Sequence, residues 1–248
     1  MVMNRREFTL TTSIGILGSL LFGCKETGLL GAKKNLVIAC LGDSVTAGGG
    51  NGYVELLQKM ANEKLPDTTI TFLNWGKSSE TVTGLTEIGH PGPRPYLFDR
   101  LDELLEHEKV DLVTFCYGIN CGIYGKPSSQ LFDSYTIGVL SFLEKIKQKG
   151  IKAILVSPPP LVLDTVPIEI DTKAEFTWLN PYPNYDEEVI QKFKDILQNI
   201  RHDALVMSID IHTPLSRNQA SCYDNDPIHP NTNGHQLIAK TIWSELNL

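Results

Sequence analysis

Several familiar signatures are missing from this sequence, and each absence narrows what the chain can do. No Cys-x-x-Cys pair occurs, so a structural zinc knuckle has no ligand frame. No His-Glu-x-x-His stands anywhere, and the nearest alternative ligand set, Asp224, Asp226, His229 and His235, matches no standard metal site. Gly76-Lys77-Ser78 ends like a phosphate-binding loop, but the glycine required five residues earlier is Thr71 and the pattern fails. Lys and Arg form no cluster and the formal net charge is −7. That argues against nucleic acid as a partner and for a solvated acidic surface. The chain contains no internal repeat and no low-complexity tract. Its N-terminal apolar segment, residues 8–23, is too short and too rich in Gly, Ser and Thr to span a bilayer comfortably.

What is present begins with that segment. The charged start Asn4-Arg5-Arg6-Glu7-Phe8 before it reads as a secretory signal, and the paired arginines followed by Phe resemble a twin-arginine export signal. Leu21-Phe22-Gly23-Cys24 resembles a lipobox, which would make Cys24 the lipidated residue of a bacterial periplasmic or cell-envelope lipoprotein. The other reading is an ordinary cleaved signal with an incidental cysteine. Residues 1–23 are therefore expected to be an export signal, 24–34 a tether, and 35–248 one domain. At 42% hydrophobic, that domain has enough chain for a sizeable core.

Within the domain, apolar runs alternate with helical patterns. Strands are expected at residues 36–41, 70–73, 111–117, 151–156 and 205–211. Helices are expected at 53–65, 95–107, 131–148, 187–200 and 231–246. Five strands alternating with helices imply a parallel sheet with right-handed crossovers, an α/β three-layer sandwich of flavodoxin-like strand order 2-1-3-4-5. In that order, Ser44, Gly76 and Asn120 follow the carboxyl ends of three adjacent strands and converge at the edge where such folds bind ligands.

Ser44 sits in Gly42-Asp43-Ser44, where either Asp43 or Ser44 could simply cap the next helix. Near the C-terminus, Asp226-Pro227-Ile228-His229 puts an acid and an imidazole on one turn, as a serine hydrolase needs for its base and orienting acid. The same pair also fits plain turn chemistry. The N–H groups of Ser44 and Gly76 and the amide of Asn120 would suit a tetrahedral oxyanion. Cys40 and Cys116 read as buried small hydrophobes. Cys121 and Cys222 fall in loops at the same edge, where a disulfide is possible and sequence leaves the pairing open. His212 reads as a structural histidine, and His90, His107 and His202 as surface residues. The long segment 161–185 carries Trp178, Tyr182 and Tyr185 and suits a binding wall. Trp178, Trp75, Tyr124 and Tyr223 are aromatic candidates for stacking on a sugar, and Arg94 could anchor a substrate or pair at the surface.

Gly42-Asp43-Ser44, Asn74-Trp75-Gly76, Gly118-Ile119-Asn120 and Asp226-Pro227-Ile228-His229-Pro230, in this order, resemble the SGNH or GDSL-type serine hydrolases. The resemblance implies ester hydrolysis without a metal or cofactor, with Ser44 as nucleophile, Gly76 and Asn120 as oxyanion donors, His229 as base and Asp226 as orienting acid. The third block departs from the family, because Cys121 stands where Asp usually follows. The stretch 117–124 is most similar to an exported bacterial branch associated with acylated carbohydrates. O-deacetylation of a glycan is therefore the expected activity. A lysophospholipase or thioesterase acting on longer chains, and a carbohydrate-binding lipoprotein without turnover, are the alternatives.

Overall fold

The computed structural model describes residues 35–166, 168–246 and 248. The expected export signal, tether and Cys24 lie outside the described residues. Five parallel strands, β1 (Asn35–Gly42), β2 (Thr69–Gly76), β3 (Leu112–Cys116), β4 (Lys152–Val156) and β5 (Leu205–Ile209), form one sheet of order β2-β1-β3-β4-β5. This is the expected order, and it places β1 between β2 and β3.

Strand alternation explains the three layers. In β1, Ala39 and Leu41 face one side with Val113 and Phe115 of β3 and Ala153 and Leu155 of β4. Against them lie α3 (Leu101–His107), α4 (Ser129–Gln148) and α5 (Gln191–Asn199), through Leu101, Tyr135, Phe142 and Phe193. Ile38 and Cys40 face the other side, where α2 (Tyr53–Lys64) and α8 (Thr232–Leu246) bring Val54, Leu57, Ile238 and Ile242. Each such large apolar side chain contributes roughly 1.5–3 kcal/mol on burial, so both faces of the sheet are committed to the core. Only its edges remain for chemistry.

Several boundaries differ from the sequence expectation for identifiable reasons. The helix expected from Pro95 starts at Leu101, after a 3₁₀ turn at Leu97–Asp99. The backbone of Thr81 is the cause: it exchanges hydrogen bonds with Pro95 and Leu97 (2.9 and 3.0 Å), holding that stretch extended. α4 begins two residues early because the Ser128 hydroxyl accepts the Leu131 N–H (3.1 Å) and caps it. β5 stops at Ile209 because the Ser157 hydroxyl takes the N–H groups of Ile211 and His212 (2.9 and 3.0 Å). Two short helices that the sequence pattern did not mark follow, α6 (His212–Arg217) and α7 (Gln219–Cys222).

Cys121 and Cys222 are separate free thiols, packed in the cores on opposite faces of the sheet. The disulfide is thereby excluded in this fold, and burial pushes the Cys121 thiol up to about 12.

Candidate active site

β1 ends in Gly42, and the chain turns at once into the single turn α1 (Ser44–Ala47). This turn lies directly on the sheet. A Cβ on Gly42 would stand 2.0 Å from Thr46 Oγ1, and one on Gly76, its register partner in β2, 2.0 Å from the Ala47 nitrogen. The two glycines exist for this close approach. Gly76 does not line the cavity described below, and its N–H donates to Asn74 Oδ1 (3.0 Å). The expected oxyanion role of Gly76 is therefore not supported by where its donor goes.

Asp43 caps α1, its carboxylate accepting the Val45 N–H at 3.1 Å. The helix-cap reading is correct for Asp43, and it leaves Ser44 free for other work. Burial raises the Asp43 carboxyl to about 7, against the Val45 hydrogen bond and the attraction of His229. A carboxyl raised by folding binds its proton more tightly in the native state, so stability falls as pH climbs from about 4 through about 7. Asp43→Asn keeps the cap without the charge. Its melting temperature, followed from pH 5 to pH 8, is expected to fall less than that of the unaltered protein; an equal fall in both would contradict this account.

Asp226 and His229 lie in the loop entering α8. Asp226 Oδ1 accepts the N–H groups of Ile228 and His229 (2.8 and 3.1 Å), while Oδ2 meets His229 Nδ1 at 2.7 Å. Turn chemistry and imidazole orientation thus come from the same carboxylate. A carboxylate only accepts, so the proton is on Nδ1 and the lone pair of Nε2 faces Ser44 Oγ, 2.9 Å away. Partial burial tends to raise the Asp226 carboxyl, but the His229 and backbone hydrogen bonds outweigh it and hold the pKa below the ordinary value. The loop is tied to the segment after β4 by the Val162 N–H, which donates to Pro227 O (2.9 Å).

Ser44 and His229 open into a cavity of about 300 Å³ also lined by Ser78, Ser79, His90, Pro91, Arg94, Asn120, Tyr124, Trp178 and Ile228. The Asn120 side chain is buried, with Nδ2 lacking any protein partner and Oδ1 accepting from the Tyr124 hydroxyl (2.9 Å). Ser79 holds a left-handed φ of 64°, and among the described residues its N–H donates to no protein group. Sequence inspection passed over Ser79, because nothing short of the backbone conformation distinguishes it from its neighbour Ser78.

The other expected contacts divide. Trp178 lies at the cavity, 41% exposed, as expected of a binding wall. Trp75 is buried in the core, its carbonyl accepting from Arg100 (2.8 Å), and is not a substrate contact. Tyr223 is buried too, donating to Pro160 O (3.2 Å). Arg94 borders the cavity, but Nε and Nη2 of its guanidinium donate to the Glu87 carboxylate (2.6 and 2.5 Å) in a buried pair, and Nη1 donates to Ser79 O (3.2 Å). It braces the loop and has no free charge to offer a substrate. His212 is buried against Asp186 (3.1 Å), a structural histidine as read. His90, read as a surface residue, instead borders the cavity.

Comparison with known proteins accords with this geometry. A family model described as "GDSL-like Lipase/Acylhydrolase family" matches residues 40–237. No curated protein sequence matches the chain significantly. Among solved structures, the chain is similar to Axe2, an acetyl-xylooligosaccharide esterase from Geobacillus stearothermophilus. The two are 18% identical with TM-score 0.65, covering 87% of this chain and 96% of that one. The acetyl xylan esterase AlAXEase gives 18% and 0.62 over 85% and 99%. LAE5, an alpha/beta hydrolase from the metagenome of Lake Arreo, Spain, gives 19% and 0.61 over 86% and 96%. At these identities the likeness is one of fold.

Proposed function

Because the chain belongs to the GDSL-like lipase/acylhydrolase family, and is thereby a carboxylic ester hydrolase of the SGNH type, we propose that it works through an acyl-enzyme on Ser44 and removes acetyl groups from carbohydrates. The observation that carries this reading is the unbroken hydrogen-bonded line from Asp226 through His229 to Ser44, opening on a small cavity.

In the first step Ser44 Oγ attacks the acyl carbonyl while His229 Nε2 takes its proton, and Asp226 stabilises the imidazolium. The oxyanion is held by the Asn120 amide and the N–H groups of Ser44 and Ser79, with Ser79 in the place expected of Gly76. His229 returns the proton to the departing alcohol oxygen. Water then attacks the acyl-enzyme with His229 again as base, releasing the acid and Ser44.

Three features favour an acetyl group on a sugar. The cavity lies at the small end of ligand sites, leaving little room for a long chain. Trp178 offers an exposed ring at its edge. The similar solved structures include proteins described as acetylxylan esterases. Export and lipidation at Cys24 rest on the N-terminal sequence alone, and complete the proposal as a cell-envelope enzyme.

The test is a nitrophenyl ester series from acetate to octanoate, followed by acetate release from acetylated xylan. kcat/KM is expected to favour acetate over octanoate by roughly tenfold or more, with acetate released from the glycan. Preference for octanoate would point to a lipase or thioesterase, and glycan binding without turnover to a non-catalytic protein; either overturns the proposal.

A further inference from the structure

The segment after β3 poses a problem that its chemistry explains. Ile123 and Tyr124 both adopt left-handed backbone, φ 47° and 56°, a conformation that residues other than glycine rarely hold. A β-branched residue there is especially unfavourable. Two such residues in succession persist only when the surroundings impose them. Tyr185 does much of this: its hydroxyl donates to Ile119 O (2.9 Å) and accepts the Gly122 N–H (3.1 Å). A Cβ on Gly122 would stand 2.6 Å from that hydroxyl, so only glycine admits it. The Tyr185 ring stacks on Tyr124 at 5.2 Å. The Tyr182 N–H donates to Tyr124 O (2.9 Å), and the Arg94 guanidinium, held by Glu87, stands 5.6 Å over the Tyr124 ring.

The result of this contortion is that Tyr124 turns back four residues and donates its hydroxyl to Asn120 Oδ1 at 2.9 Å. An amide is nearly symmetric in shape, and a misplaced Asn120 would present an acceptor to a developing oxyanion instead of a donor. With Oδ1 taken by a hydroxyl, Nδ2 is the atom left over, and it is buried with no partner among the described residues. We infer that Tyr124 is the positioning residue of the oxyanion site: its hydroxyl fixes which end of the Asn120 amide faces the substrate. It takes over a buttressing task in a segment where Cys121 stands, an apolar thiol unable to hold an amide. Tyr124, 1% exposed, borders the cavity with its hydroxyl turned onto Asn120.

This inference rests on the proposed roles of Ser44 and Asn120, and its test separates the two. Asn120→Ala is expected to lower kcat by about a hundred- to a thousandfold. Tyr124→Phe keeps the ring and removes one hydrogen bond, and should lower kcat by about tenfold, with KM for nitrophenyl acetate little changed. The deciding measurement is the double variant. If Tyr124 acts through Asn120, adding Tyr124→Phe to Asn120→Ala costs almost nothing further. Multiplied losses would mean a general structural role and would overturn the inference. Should Tyr124→Phe fail to fold, the unaltered protein labelled on Ser44 by diethyl 4-nitrophenyl phosphate provides a second measurement. A crystal structure of the adduct is expected to show the phosphoryl oxygen within hydrogen-bond reach of one amide atom of Asn120 and the Tyr124 hydroxyl on the other. An adduct with Tyr124 turned away from Asn120 refutes the positioning role alone, whereas failure to form any adduct refutes the esterase reading beneath it.

Discussion

Ser44→Ala is expected to abolish turnover of nitrophenyl acetate, a loss of about a millionfold in kcat, while leaving the fold intact. The size follows from what the hydroxyl does: without Oγ there is no acyl-enzyme, and water cannot occupy the position aligned by His229 with the same orientation. Stability should scarcely change, because Ser44 lies on a one-turn helix capped by Asp43 and, among the described residues, its hydroxyl bonds only to His229. Two measurements check this, steady-state kinetics and intact mass after a fluorophosphonate. The unaltered protein should gain one adduct and the variant none. Substantial turnover by the variant would remove Ser44 from the reaction.

Asp226→Asn is expected to lower kcat by about ten-thousandfold. The reason lies in the loop geometry. Oδ1 already accepts two backbone N–H groups, so an asparagine there keeps its oxygen in that place. Its amide then points N–H groups at His229 Nδ1. A neutral imidazole answering a donor must carry its proton on Nε2, the atom that has to receive the Ser44 proton. The turn survives and the base is lost. Melting temperature close to that of the unaltered protein with a collapse in kcat is the expected pair of results. A loss under about tenfold would show that orientation by Asp226 contributes little, since a factor of ten corresponds to about 1.4 kcal/mol.

The four motif blocks carried most of the architecture because they combine two signals of different range. Periodic apolar residues mark the strands and helices locally. The commonest open order of five parallel strands then places the ends of β1, β2 and β3 together, so Ser44 and Asn120 could be paired across 76 positions without coordinates. His229 joined them because its spacing from Asp226 is a local property of one turn. Where the reading went astray, the missing quantity was long-range. Gly76 and Ser79 are three residues apart, and glycine looked the natural backbone donor. Only the packing of α1 on the sheet shows that Gly76 serves a close approach, while Ser79 takes the left-handed turn beside the cavity. Trp75 and Tyr223 look like Trp178 in sequence because all are aromatic. Burial separates them, and burial depends on what the rest of the chain places in front of each ring.

Sequence alone determined the sheet order, and it singled out Ser44, Asp226, His229 and the Asn120 amide as the candidates on which the proposed reaction rests, since these follow from residue chemistry and short spacings. Tertiary structure decided which donors remain free. The Asn74 side chain consumes the Gly76 N–H, Glu87 consumes the Arg94 charge, and Tyr124 occupies one end of the Asn120 amide. Each outcome depends on a partner from 2 to 7 residues away brought round by a turn, and neither pattern nor composition records which way a turn closes. What a group can offer a substrate is what its neighbours leave unused.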